Sequence, residues 1–476
     1  MSDVVVVGGG IAGLAAAWEL ARGTPGCDVT LIEGSERLGG KITTSPFAGI
    51  ELDEGPDSFL ARVPAAADLA REAGLGDELV APATGHAWLW ARSRLRRLPT
   101  GLVLGIPTDV VALARSRVLP PGGAPRAALD LVLPGAPVGR DDDVAVGALV
   151  RRRMGGAVAD ELVDPLLGGI NGSHVDHLSL AVAAPQILAA ARRQAGLIRG
   201  LRTAGTRGTA TGAIATGEAA PVFLTVRGGL QRLVDALRAG LFAARATVVT
   251  GDSVVALERR TPGWDVRLRS GRVLGADGVV VACPPAAASS LLRTVSPAAA
   301  VELGAIQTAS VALVSLAYPA AGQPTWDGSG FLVPRGERRL VTAGSWVGQK
   351  WPHLDVPGRI LVRASAGRVD DVRIADLADD ELASAVHREV AAAMGLRGTP
   401  VEIRVNRWPD SFPQYEVGHL ERVERVERRL AADAPTLKLA GAALRGVGLA
   451  TCIAGGREAA ARVRSAVTTP SPTGRG

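Results

Sequence analysis

Four consecutive valines, Val4 to Val7, run directly into Gly8-Gly9-Gly10-Ile11-Ala12-Gly13. A short β-branched run of this kind predicts a strand buried on both faces. Residues 12–22 carry a helical pattern closed by Gly23 and Pro25, and Asp28 to Glu33 give a second strand signal. Strand, tight turn, helix and strand in about 30 residues form a βαβ unit, which requires a parallel sheet. In G-x-G-x-x-G the first glycine permits the turn, the second admits a pyrophosphate, and the third lets helix pack on strand. Gly8, Gly10 and Gly13 take those roles, with Gly9, Ile11 and Ala12 completing the loop and first turn. Glu33 ends the second strand, where a carboxylate accepts hydrogen bonds from a ribose diol. A bare turn with a solvated Glu33 is the alternative; the complete βαβ context favours a dinucleotide.

The rest of the chain predicts interleaved units. At 476 residues it has room for about three domain-sized bodies. Helical signals cover 61–75, 144–154 (with Asp143 as cap) and 157–164, the last ending near Pro165. A strand and turn fit 86–98, and residues 98–140 predict loops with short helices. The small, polar stretch 204–221 predicts a loop. Strands fit 248–257, 264–268, 273–283, 309–317, 330–334, 340–346 and 360–365, a helix fits 380–394, and the chain closes with a strand at 436–440 and a helix at about 455–467. Nucleotide-fold signals at the start, middle and end imply a discontinuous domain.

Composition narrows the function. Hydrophobic residues at 47% exclude a disordered chain. Cys27, Cys283 and Cys452 lie too far apart for a zinc site or disulfide framework, so no metal and a reducing, cytoplasmic setting are expected. His174 and His177 have ligand spacing, but no further ligand cluster follows. The formal charge is +6, and only Lys41, Lys350 and Lys438 are lysines, so arginine dominates the basic residues. Anionic small molecules fit this balance. Nucleic acid does not, because aromatic residues at 3% leave little for base stacking. No basic region precedes the first apolar run, so a signal peptide is not expected. The charge-free stretch 303–326 is broken by Gln307, Thr308, Ser310, Ser315 and Pro319, which predicts strand plus loop and no transmembrane segment. Peripheral membrane contact stays open.

A second glycine pair follows Glu33 in Gly34-Ser35-Glu36-Arg37-Leu38-Gly39-Gly40-Lys41, and a Gly-Pro turn in Asp53-Glu54-Gly55-Pro56-Asp57-Ser58. Both could be plain surface turns. Gly446 to Thr451 predicts a loop before a helix starting near Gly455, whose positive N-terminal end would favour a developing anion. In combination the chain resembles the oxygen-dependent porphyrinogen oxidases of the flavin amine-oxidase superfamily. The resemblance runs nearly end to end through ERLGGKI at 36–42, DEGPDSFL at 53–60, RRRMGGAVADELVDPLLGGI at 151–170, LTVRGGLQRLVDAL at 224–237, ADGVVVACPP at 276–285, GSWVGQKWPH at 344–353, RWPDSFPQYEVGHLERV at 407–423 and LAGAALRGVGLATCIAGGREAA at 439–460. It is nearest to the soluble bacterial coproporphyrinogen III oxidase branch.

That resemblance implies an α/β fold: a Rossmann-like FAD-binding domain (1–85, 222–298, 415–476) interleaved with a mixed-sheet substrate domain (86–98, 299–414) and a mainly helical subdomain (99–221). It implies one non-covalent FAD, met by the Gly8–Gly13 loop, Glu33, Gly34, Arg37, Gly40, Lys41, Gly55, Pro56, Asp57, Ser58, Val254, Trp408, Gly448, Leu449 and Ala450. Arg62 is the candidate for a substrate propionate and Ile170 for a pocket wall. On residues alone, Arg62 reads first as a surface arginine and Trp408 and Ile170 first as core. Where some relatives carry another basic residue after Arg62, this chain has Val63 and Pro64. The implied reaction removes six electrons from a porphyrinogen in three hydride transfers to flavin N5. Oxygen reoxidises the flavin and yields hydrogen peroxide, so no catalytic side chain is expected. Coproporphyrinogen III is the expected substrate, on the arginine supply and the absence of an apolar membrane helix. Protoporphyrinogen IX is the runner-up, with an amine oxidase or a non-enzymatic relative as more distant alternatives. A ferrochelatase is a possible docking partner, and the oligomeric state is left open.

Overall fold

The computed structural model describes residues 2–23, 27–133, 138–139, 142–193, 196–205 and 221–468. Pro25 and most of the predicted loop at 204–221 lie outside them. The valine run forms strand Ser2–Val7, buried from Val4 onward, and the glycine turn leads into helix Ile11–Gly23 and strand Cys27–Ile32. These strands lie in a five-stranded parallel sheet ordered Thr247–Val249, Cys27–Ile32, Ser2–Val7, Gly278–Val281, Leu437–Leu439. Its members come from the start, middle and end of the chain. The first helix packs against the C-terminal helix Leu449–Thr468, and Leu14, Ala15, Ile453 and Ala460 share one buried core there.

A second, seven-stranded mixed sheet runs Glu402–Pro413, Thr308–Pro319, Arg359–Ala366, Val341–Trp346, Gly330–Leu332, Trp88–Ala91, Arg94–Arg97. Its one parallel pairing joins Phe331–Leu332 to Trp88–Leu89. Helix Asp379–Met394 buries Leu382, Val386 and Val390 against this sheet. Residues 99–205 are mostly short helices around their own core, which includes Leu149, Met154, Leu162 and Ile187. The result is an α/β architecture with one parallel sheet, a mixed second sheet and a helical region.

Five local expectations need correction. Asp143 does not cap the helix Val146–Met154, which begins beyond it; its carboxylate accepts instead from Ser179 Oγ, from Gly418 N–H and from Ala181 N–H in the first turn of helix Leu180–Ala183. Pro165 does not end its helix but lies inside a π-helix, Ala159–Gly168. A proline clashes with the carbonyl four residues back in an α-coil, and the wider π-coil relieves that clash. The segment 248–257 divides at Gly251 (φ 74°) into strands of two different sheets. The segment 273–283 divides likewise at Asp277, whose N–H donates to Asp3 O at 2.7 Å as the chain enters the parallel sheet. The last helix starts at Leu449, not near Gly455. Gly455 and Gly456 sit within it, and a Cβ on Gly456 would lie 2.1 Å from Ala12 O. Gly456 therefore marks close helix packing, while Gly455 faces open space, and neither marks a helix start.

Candidate flavin site

The site begins where backbone meets backbone. A Cβ on Gly13 would lie 1.8 Å from Gly8 O, so only glycine permits this turn to close against its own helix. Gly8 itself holds φ 107° with its Cα side against Ala282 O. A Cβ on Gly10, by contrast, would meet nothing within 4 Å. The second glycine loop lies directly on the first: Gly39 N–H donates to Gly9 O at 2.9 Å, and Gly39 bridges Gly10. Gly39 (φ 108°) and Gly40 (φ 58°) both adopt left-handed backbone there. The third loop follows, because a Cβ on Gly55 would lie 2.2 Å from Lys41 O and 3.3 Å from the Trp408 ring. Trp408 Nε1–H donates to Glu54 O at 3.0 Å, which fixes that ring beside the loop. One wall therefore runs from Gly10 through Gly40, Lys41 and Gly55 to Trp408.

Glu33 ties the nucleotide end together. Its carboxylate accepts from Gly9 N–H at 2.7 Å and from the Ser35 N–H and hydroxyl at 2.8 Å each. Residues 249–254 wrap this corner: Glu33 N–H donates to Val249 O, and a Cβ on Gly34 would sit 2.6 Å from Ser253 Oγ. Val254 opens its strand at that point. Arg37 donates to Leu38 O, Gly40 O and Ile42 O, so its guanidinium shapes the second glycine loop from within.

Lys41 is solvent-accessible although protein surrounds it, and desolvation pushes its ammonium pKa down. No carboxylate pairs with it among the described residues. A cation next to the stacked glycine loops, close to the start of helix Ile11–Gly23, fits the phosphates of a dinucleotide. Leu449 and Ala450, at the start of the last helix, pack in the same core as Ile11 and Ala12. Gly448 precedes them, half-open, with Thr451 Oγ1 3.8 Å from where its Cβ would be. Cys452 is buried behind this turn, its thiol pushed up to about 11 by burial. These residues fit a flavin dinucleotide.

Asp57 has a different environment. Lys350 Nζ (2.9 Å) and Arg363 (3.1 Å) both meet its carboxylate, and they hold it well below the usual carboxylate range against the upward push of burial. Ser58 Oγ donates to it as well. Arg363 also donates to Asp53 O and Gly55 O. Asp57 and Ser58 thus tie the Gly55-Pro56 turn to the seven-stranded sheet. Lys350 and Arg363 were missed in the sequence; the only available signal was the rarity of lysine.

Arg62 lies between strand Phe59–Leu60 and helix Pro64–Glu72, both packed on the C-terminal helix. It is exposed, desolvation lowers its pKa, and no ion pair reaches it among the described residues. Ile170 is 52% exposed. The turn carrying it rests against the strand that bears Trp408, with Gln414 donating to Asn171 O at 3.3 Å. Among the described residues, no group of three or more His, Cys, Asp or Glu side chains could hold a metal, and no helix is long and apolar enough to cross a membrane.

The chain has known relatives along nearly its whole length. The chain is 35% identical to the coproporphyrinogen III oxidase of Bacillus subtilis, over 96% of this chain and 98% of that protein. It is 38% identical to the coproporphyrinogen III oxidase of Propionibacterium freudenreichii, over 99% and 92%. A crystal structure from Exiguobacterium sp. 255-15, provisionally assigned as a protoporphyrinogen oxidase, superposes with a TM-score of 0.86 at 30% identity, covering 98% of this chain and 99% of that one. A match to the family described as flavin containing amine oxidoreductase spans residues 11–464, and the chain belongs to that family of oxidoreductases.

Proposed function

We propose that this chain is an FAD-dependent coproporphyrinogen III oxidase that forms coproporphyrin III. The observation that carries the reading is its identity of 35% and 38%, over almost its whole length, to two relatives of that name. Flavin, when bound, supplies hydride acceptance and reaction with oxygen, giving hydrogen peroxide over three two-electron rounds. The chain's own residues bind, orient and exclude water. Glu33 receives the ribose, and the Gly8–Gly13 turn and Lys41 receive the phosphates. Gly448, Leu449 and Ala450 would offer the N-terminal N–H groups of the last helix to the flavin ring, and Trp408 with Gly55 would help to hold it. FAD is held without a covalent bond, consistent with a Cys452 thiol engaged by Gly446 O and Val447 O.

For the substrate, Arg62 is the first cation offered to a propionate, because it has no ion-pair partner among the described residues. Ile170 gives the apolar macrocycle a wall. The interleaved division given above assigns the parallel sheet to FAD and the mixed sheet to substrate. A cytoplasmic setting, oxygen as acceptor and delivery of product to a ferrochelatase complete the reading. Protoporphyrinogen IX is the second reading, on the provisional assignment of the Exiguobacterium structure.

Aerobic turnover of FAD-loaded protein with both porphyrinogens, followed by porphyrin fluorescence, decides between them. A larger kcat/KM for the four-propionate substrate is expected. A larger value for protoporphyrinogen IX would replace the first reading with the second, and a flavin-loaded protein oxidising neither would remove both.

A further inference from the structure

The stretch Gln414–His419 joins strand Glu402–Pro413 to helix His419–Asp433 and touches three regions at once. Tyr415 is buried in the core of the helical region, and its phenol donates to Ala442 O at 2.6 Å. His419 is 2% exposed, with Nε2 2.9 Å from Leu444 O. A carbonyl only accepts, so Nε2 carries the proton. Nδ1 is left buried without a partner. The two rings pack edge to face at 5.0 Å.

Ala442 and Leu444 lie in the short turn Ala442–Arg445, which leads through Gly446 (φ 139°) to Gly448, Leu449 and Ala450. Two aromatic donors thus hold two carbonyls immediately before the loop. Behind them Asp143 accepts from Ser179 Oγ at 2.8 and 2.9 Å and from Gly418 N–H at 2.9 Å. Ser179 N–H in turn donates to Tyr415 O at 2.7 Å, and Leu178 bridges Glu416. Val447, inside the loop, packs on the same helical core.

We propose that Tyr415 and His419 are positioning residues for the flavin loop 446–450. Asp143 and Ser179 lock that pair to the helical region, so the seating of the helical region sets flavin affinity and potential. The proposal rests on the reading that residues 448–450 meet the flavin. Losing either donor leaves a buried carbonyl unsatisfied beside a loop whose backbone contacts the ring.

The test is FAD titration of apoprotein, with flavin absorption spectra, midpoint potential and apoprotein Tm. Tyr415→Phe and His419→Asn are expected to raise the FAD Kd about tenfold, the scale of one lost hydrogen bond, and to lower the potential. His419→Gln, whose amide nitrogen can replace Nε2, is expected to restore both. Ser179→Ala is expected to shift both less, in the same direction. Tyr318→Phe serves as control: it also loses a buried phenol contact, to His387 at 2.9 Å, and should lower Tm alone. Lowered Tm with wild-type Kd, spectrum and potential in Tyr415→Phe and His419→Asn would overturn the proposal. Should Tyr415→Phe not fold, His419→Asn and Ser179→Ala decide by the same readouts. A wild-type protein that does not bind FAD would instead overturn the cofactor reading beneath it.

Discussion

The parallel-sheet side and the mixed-sheet side of the molecule, which meet at the Gly55-Pro56 turn, are held in opposite ways. On the nucleotide side, position comes from side chains that are missing: Gly13 closes on Gly8 O, Gly55 on Lys41 O, and Gly456 on Ala12 O. On the side of the mixed sheet, position comes from charges brought together across the sequence. Asp57 meets Lys350 and Arg363, and Arg335 meets Asp164 and Asp370. The first kind of contact tolerates no added atom. The second depends on charge balance and on donors such as those of Arg363 to Asp53 O and Gly55 O.

The largest expected effect comes from breaking the first kind of contact. Gly13→Val places carbon 1.8 Å from Gly8 O, where no side-chain rotation helps, because the obstacle is backbone. The cost should exceed the roughly 1–3 kcal/mol of ordinary overpacking, and the purified protein should carry no flavin absorbance. A yellow, stable Gly13→Val protein would show that the helix can shift as a body. Asp57→Asn comes next. It keeps the shape and leaves Lys350 and Arg363 facing each other without a counter-charge. About 3 kcal/mol of stability should be lost in urea denaturation of the apoprotein. A loss under about 1 kcal/mol would mean that the Arg363 bonds to Asp53 O and Gly55 O already suffice.

This contrast also explains what was legible in the sequence. The glycine turns and Glu33 could be found because close backbone approach restricts a position to one residue type. Gly39 and Gly40 adopt φ values that other residues rarely hold. The same rule misled at Gly455-Gly456, since a glycine pair signals close packing as readily as a helix start. The Asp57 ion pairs left no local trace, because Lys350 and Arg363 lie about three hundred residues away and many charged residues could serve. Strand Glu402–Pro413, which carries Trp408, also escaped, because its row of exposed and half-buried residues lacks clean alternation. Arg62 was chosen by its place after a loop motif. The structure adds that it is unpaired among the described residues, not what it binds.

A pH measurement sharpens the comparison from the buried side. Asp53 is 6% exposed, and burial raises its carboxyl from 3.8 to about 6, even though Thr44 Oγ1 and Leu230 N–H both donate to it. The folded protein therefore holds this proton more tightly than the unfolded chain. The penalty for burying the charge is full above about 6 and disappears as pH falls towards 3.8. From pH 7.5 to 5 this group alone should add about 1.4 kcal/mol of stability. Asp53→Asn should remove that component, seen as the difference between the two denaturation profiles against pH. Parallel profiles would mean that the carboxyl is not the titrating group.

Arg62→Ala should have the smallest effect on stability, and that is what makes it informative. Its guanidinium has no ion pair among the described residues, so removal should change stability by no more than about 0.5 kcal/mol. Its lowered pKa means the surroundings already desolvate the cation without supplying an anion. A cation in that state gains most when a ligand carboxylate arrives, because a bidentate pair forms where water is partly excluded. KM for coproporphyrinogen III should therefore rise about tenfold with kcat nearly unchanged, the pattern of a uniform binding contact. Arg62→Lys should recover only part of the loss, since a single ammonium cannot reproduce the two-point contact. If KM stays at the wild-type value, Arg62 is an ordinary surface arginine, and the propionates are met by other cations. If kcat falls with KM unchanged, the residue acts on strand Phe59–Leu60 and the C-terminal helix instead of on the substrate.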